Sequence, residues 1–176
     1  FIERIFRTIA EPLALFFAAA ALLVVLRGRA EQARTIVVAG ILGGLSFLAT
    51  QKALYFNVAL GLALVADAAL ARRYRDGFLR GLWLVLGWFI PIAAYCLAFG
   101  GSDPLPVLKN VFLGPIEVAT TGGDVYTGLR NFVWQTLQRN ALLYLFCFAG
   151  MALAWIRLTS LDGRTRVALI FTSVVT

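Results

Sequence analysis

Six blocks of apolar residues separated by short clusters of charge make up most of the chain. They are Pro12 to Leu26, 35–49, 53–71, 81–99, 141–156, and a last block that begins at Val167 and is cut by the end of the sequence. A bilayer core takes roughly 20 mostly apolar residues per helix, within a range of about 17–25. Each block therefore predicts a membrane-spanning helix that extends somewhat into its flanks. The predicted fold is all-α: a polytopic transmembrane bundle of about six spans, the last truncated, forming a single domain over 1–176. Pro12 suits the first turn of the first span, with Glu11 before it as a cap.

Two further segments have helical spacing on one face only. Phe1, Ile2, Ile5, Phe6 and Ile9 recur against Glu3, Arg4, Arg7, Thr8 and Glu11, which predicts a helix over 1–11 lying in the interface plane. Residues 125–139 repeat the pattern, with Leu129, Phe132, Val133 and Leu137 on one face and Arg130, Asn131, Gln138 and Arg139 among the polar positions; Trp134 is expected near the headgroups. The glycine-rich stretches Gly100 to Pro104 and Thr120 to Asp124 read as turns. The whole of 100–140 is thus expected to be a long outer loop folded against the membrane.

Composition removes the soluble alternatives. The chain is 61% hydrophobic and 14% charged, with mean hydropathy +0.85, whereas a soluble domain carries about 45–50% apolar and about 25% charged residues. There is too little polar surface to enclose a soluble core. The net charge of +7 is accounted for by topology. Segments 27–34, 72–80 and 157–166 hold Arg27, Arg29, Arg34, Arg72, Arg73, Arg75, Arg80, Arg157, Arg164 and Arg166, and all three fall on one side if each block crosses once. Short cytoplasmic loops carry such an excess, so these are expected to be cytoplasmic and 100–140 periplasmic, in a bacterial inner membrane. The arginines then anchor at lipid headgroups, and nucleic acid is not a partner.

The chemistry available is narrow. With no His in the chain, His-ligated metal and haem sites and a His proton relay are excluded. Cys96 and Cys147 lie inside apolar blocks and read as buried small hydrophobes. No metal site is expected. Lys52 stands at the junction of two blocks, in Thr50-Gln51-Lys52, with no acidic residue within a turn; it is either a snorkelling boundary marker or a cation for a phosphate at the outer interface. Gly40, Gly43 and Gly44 form a small-residue face suited to close helix packing. Asn57 and Asp67 are polar groups inside the third block, read as an interhelical hydrogen bond and an interfacial ion pair. Glu3, Glu11, Asp103, Glu117 and Asp124 make up the acidic set on the outer side. None is paired in a motif, Asp124 suits a helix cap, and the catalytic residues stay unknown.

The stretch Ala39-Gly40-Ile41-Leu42-Gly43-Gly44-Leu45-Ser46-Phe47-Leu48-Ala49-Thr50-Gln51-Lys52-Ala53-Leu54-Tyr55-Phe56 resembles a segment of GT-C fold membrane glycosyltransferases, the polyprenyl-phosphate-sugar-dependent enzymes related to protein mannosyltransferases. There a Gly-rich transmembrane helix ends in a Thr/Gln-Lys cluster at the outer face and another helix follows at once. The resemblance implies transfer of a sugar from a polyprenyl-phosphate-linked donor to an acceptor at the outer face, with Lys52 and Gln51 holding the donor phosphate. The family's acidic catalytic motif lies in an outer loop near the enzyme's N-terminus and has no counterpart here. The chain opens at Phe1 and stops in an apolar run, so it is expected to be an internal fragment whose partners are the bilayer, the lipid-linked donor and the rest of the parent chain. No cofactor is evident, a divalent metal being left to residues elsewhere. Two alternatives stay open: a polytopic transporter or lipid flippase, in which Asn57 and Asp67 line a substrate path, and a noncatalytic membrane scaffold subunit.

Overall fold

A computed structural model of the protein describes residues 2–28, 32–101, 103–121, 138, 149–153 and 155–175. Among these, all regular structure is helical. Helix α1 spans Ile2–Arg27, α2 Ala33–Ala49, α3 Leu54–Leu70, α4 Tyr74–Gly100, α5 Leu105–Thr121 and α6 Gly163–Val175. Among the described residues three helical stretches are long and apolar enough to cross a membrane: Ala10–Arg27, Gln51–Leu70 and Tyr74–Gly100. At about 1.5 Å per residue the 27 residues of α4 reach about 40 Å, more than the hydrocarbon thickness. Large apolar side chains of α4 point outward, among them Leu82, Val85, Leu86, Phe89, Ile90 and Leu97. That is the surface of a protein solvated by lipid rather than water.

Helix α2 packs between α1 and α4, while α3 packs on α4 and α6. The α2–α4 contact is made by backbone. A Cβ on Gly40 would collide with the Leu84 carbonyl and crowd the Gly87 Cα, and one on Gly87 would collide with the Val37 carbonyl. Gly44 likewise lies against the Trp88 carbonyl and the Pro91 ring. The small-residue face read in the sequence is thus the contact that brings α2 onto α4, as van der Waals packing without a hydrophobic drive requires in lipid. Ser46 Oγ donates to the Ala14 carbonyl at 2.7 Å, fixing α1 to α2 from the other side. Leu60, Leu64, Ile36, Val25, Val167 and Phe171 belong to one buried cluster shared by α1, α2, α3 and α6; Phe47, Ile92 and Cys96 form a second.

Several boundaries differ from the sequence expectation. Pro12 lies inside α1 rather than at its start, so residues 2–11 are the first turns of the same helix that forms the first span. One missing N–H does not stop a helix whose apolar sequence continues beyond it. The segment 72–80, expected as a loop, is mostly the first turns of α4; the true corner is Ala71 to Arg73. It closes without glycine: Arg72 takes φ 57°, and the Arg73 and Arg72 amides donate to the Ala68 and Ala69 carbonyls at 2.8 and 2.9 Å, the hydrogen-bond pattern of a Schellman cap. Part of 100–140 is also helical. Asp103 Oδ1 accepts from the Leu105 amide at 3.2 Å, starting α5, whose Val107, Val111 and Phe112 pack on the Phe47–Ile92–Cys96 cluster. The amphipathic segment 125–139 apart from Gln138, with Trp134, Asp124, Cys147 and most of the block 141–156, lies outside the described residues.

Candidate functional site

Two charged centres occupy opposite ends of α3. The first is at its start. Helix α2 ends when Thr50 turns extended (φ −155°, ψ 133°), and a single 3-10 turn over Gln51–Ala53 leads straight into α3. Gln51 and Lys52 are therefore adjacent and exposed on a tight corner, with Ala53 buried beneath them. Lys52 Nζ donates to Glu11 Oε1 at 2.9 Å, and both side chains are well exposed. The sequence offered no acid within a turn of Lys52; the partner comes from α1, 41 positions away.

An apolar groove about 300 Å³ in volume runs along the outward faces of α3 and α4. Leu54, Val58 and Val65 wall it on α3 and Val85 and Phe89 on α4, with Gly61 and Gly81 along its length. Two polar groups border it. Asn57 Nδ2 is used up, donating to the Gly43 and Ala53 carbonyls, each at 3.1 Å. Trp88 Nε1 is buried without a hydrogen-bond partner among the described residues.

The second centre is at the far end of α3. Fifteen residues beyond Lys52, a helical distance of about 20 Å, Asp67 is buried and accepts from two arginines. Arg80 Nη1 lies 3.3 Å from its Oδ2 and Arg166 Nε 2.9 Å from its Oδ1. Arg166 Nη1 also donates to the Leu161 carbonyl at 2.9 Å. One carboxylate thus ties α3, α4 and α6 together. At the start of α6, the Thr165 hydroxyl donates to Asp162 Oδ1 while the Arg164 and Thr165 amides donate to its Oδ2. The Thr165 hydroxyl in particular holds the exposed Asp162 carboxyl below its ordinary value of 3.8.

The structure therefore keeps Lys52 beside Gln51, adds Glu11 to them, and separates all three from Asp67. Asn57 makes the interhelical bond the sequence suggested. Asp67 pairs, with Arg80 and Arg166. Asp103 caps the start of α5. The side chains of Glu3 and Glu117 lie outside the described residues. Sequence reasoning missed the three-residue cluster on Asp67 because Arg80 was counted in a loop; its signal was that Asp67, Arg80 and Arg166 are each followed or preceded by apolar helix. Among the described residues no group of His, Cys, Asp and Glu could hold a metal ion. Compared with family models, curated proteins and solved structures, the chain matches none.

Proposed function

We propose that this chain is part of a GT-C type membrane glycosyltransferase that moves a sugar from a polyprenyl-phosphate donor to an acceptor at the outer membrane face, with Lys52 and Gln51 at the donor phosphate. The observation that supports this reading is an exposed cation on the corner two residues before Leu54, which is one of the walls of an apolar, lipid-facing groove. A polyprenyl phosphate is an anion on a long branched hydrocarbon, and its two halves match a lysine and the α3–α4 groove. As the bond to the sugar breaks, charge accumulates on the leaving phosphate, and a cation held beside it stabilises that state more than the ground state.

Glu11 gives the lysine its resting partner. An exposed pair is weak, because side-chain entropy and solvent screening offset its attraction. The donor's phosphodiester carries one negative charge, as a carboxylate does, and displaces Glu11 at little cost because the exposed pair is weak. The polyprenyl phosphate released as the sugar leaves is a monoester with more charge, and the lysine favours it further. The reading carries with it about six spans in a bacterial inner membrane, cytoplasmic segments at 27–34, 72–80 and 157–166, a periplasmic 100–140, and an acidic catalytic loop supplied from outside this chain. The transporter reading depends on Asn57 and Asp67 being open to a substrate. Both are engaged in bonds between helices, which favours the transferase.

The test is the affinity of the intact membrane protein, purified in detergent, for a polyprenyl phosphate. Lys52→Ala is expected to weaken binding at least tenfold at unchanged thermal stability. Undiminished binding would return Lys52 to a boundary marker.

A further inference from the structure

The arginine-rich end of the bundle holds a cavity that the glycosyltransferase reading does not use. It measures about 340 Å³ and lies between the end of α1, at Val25 to Gly28, and the starts of α4 and α6. Its size falls within the range of small-ligand sites, about 300–1,000 Å³. Arg73, Arg80, Arg164 and Arg166 line it against two acids, Asp67 and Asp162. Among the described residues the lining thus sets four guanidinium groups against two carboxylates. Both oxygens of Asp67 are already engaged, by Arg80 and by Arg166, and Asp162 is engaged at the start of α6.

Arg80 is the informative residue. Only 6% of it is exposed, and its Nη1 is bonded to Asp67, yet its Nε is buried without a hydrogen-bond partner among the described residues. A buried guanidinium N–H left unpaired is costly, more so than a neutral donor. Arg80 and the largely enclosed Arg166 share the single carboxylate of Asp67, and that unmatched charge adds to the cost. Both costs are removed by an anion with several acceptor oxygens, and guanidinium groups match phosphate geometry in particular. Basic pockets between transmembrane helices bind phospholipid headgroups on this physical ground.

We propose that this cavity binds a phosphate group, with Arg80 and Arg166 as its buried wall and Arg73 and Arg164 as its outer rim. The same chemistry serves a free phosphate or the headgroup of an anionic phospholipid. The site is at the opposite end of α3 from Lys52, so it stands or falls independently of the donor-phosphate reading.

The experiment follows thermal unfolding of the intact protein in detergent, by tryptophan fluorescence, on adding inorganic phosphate, phosphatidylglycerol or phosphatidylcholine. Phosphatidylglycerol is expected to raise Tm where phosphatidylcholine does not. Arg164→Gln, on the rim and exposed, is expected to reduce that rise at least threefold while leaving the ligand-free Tm close to wild type. Arg75→Gln, exposed on the first turn of α4 and not part of the cavity, is expected to keep the full rise. A rise with inorganic phosphate as well assigns the site to a free anion; a rise with phosphatidylglycerol alone assigns it to a headgroup. Equal shifts with both lipids and none with phosphate, or equal losses in Arg164→Gln and Arg75→Gln, would overturn the proposal.

Discussion

The two ends of α3 hold ion pairs of the same length and of very different weight. Lys52 meets Glu11 at 2.9 Å and Arg166 meets Asp67 at 2.9 Å. At the first, the side chains are 76% and 64% exposed; at the second, 17% and 10%. Distance alone would rank them equal. Burial decides otherwise: an exposed pair exchanges partners freely, while a carboxylate enclosed with two guanidinium groups cannot be removed without leaving uncompensated charge. One end is a fastening between α3, α4 and α6, and the other is a contact that a ligand can replace.

The comparison is broken most severely by Asp67→Asn. It leaves Arg80 and Arg166 facing each other across a neutral amide, and a loss of about 3–5 kcal/mol is expected in denaturant unfolding of the detergent-solubilised protein. A loss below about 1 kcal/mol would mean that water reaches the cluster and that the contrast between the ends is false.

Gly40→Leu attacks the backbone crossing that holds the two ends in one frame. Its side chain would be driven into the Leu84 carbonyl and the Gly87 backbone, and an expected loss of about 1–3 kcal/mol or more follows from overpacking. Gly61→Ala, where a new Cβ meets only Leu84 Cδ2 at 3.5 Å, is expected to be tolerated and serves as its control in the same unfolding series.

Lys52→Ala sharpens the contrast from the other side. Its Tm is expected within about 2 °C of wild type, although its ligand affinity falls. The smallest effect expected is a pH dependence at Asp162. Because its carboxyl is held below the ordinary value, the cap on α6 contributes fully above that value and is lost as pH falls through the lower, folded one. Asp162→Asn should therefore flatten the acid limb of Tm against pH without changing the neutral plateau. Identical acid limbs in the two proteins would assign the acid sensitivity elsewhere.

Much of this architecture was legible from apolar blocks and glycines. The blocks 35–49 and 53–71 coincide with α2 and with the 3-10 turn plus α3 to within a few residues, because lipid leaves backbone no choice but to bond within the segment. Gly40 and Gly44 marked the helix contact for the same reason. Charge misled where it sat on a helix end. Arg75 and Arg80 looked like loop residues because composition changes there, but hydrogen bonding continues through them and Arg80 is drawn inward by Asp67. Pro12 misled in the opposite sense, a local signal overridden by apolar continuity in α1. The turn read at Gly100 to Pro104 does separate α4 from α5, and what the loop reading of 100–140 missed was α5 itself, held by packing of Phe112 on Phe47 and Trp88, 5.6 and 6.0 Å between ring centroids. Of the candidate site, Lys52 and Gln51 were legible as an isolated polar corner. Glu11 was not, since a partner 41 residues away follows from helix pairing that periodicity does not encode.

The most direct measurement is the affinity of Glu11→Gln for a polyprenyl phosphate, beside wild type in the same detergent. If Glu11 is the resting partner that the donor phosphate displaces, removing its charge leaves Lys52 available, and binding should be no weaker and up to about fivefold tighter. A clear loss of affinity in a variant that retains the wild-type Tm would contradict the account, because Glu11 would then be helping to hold the ligand and the Lys52 corner would not be an anion site.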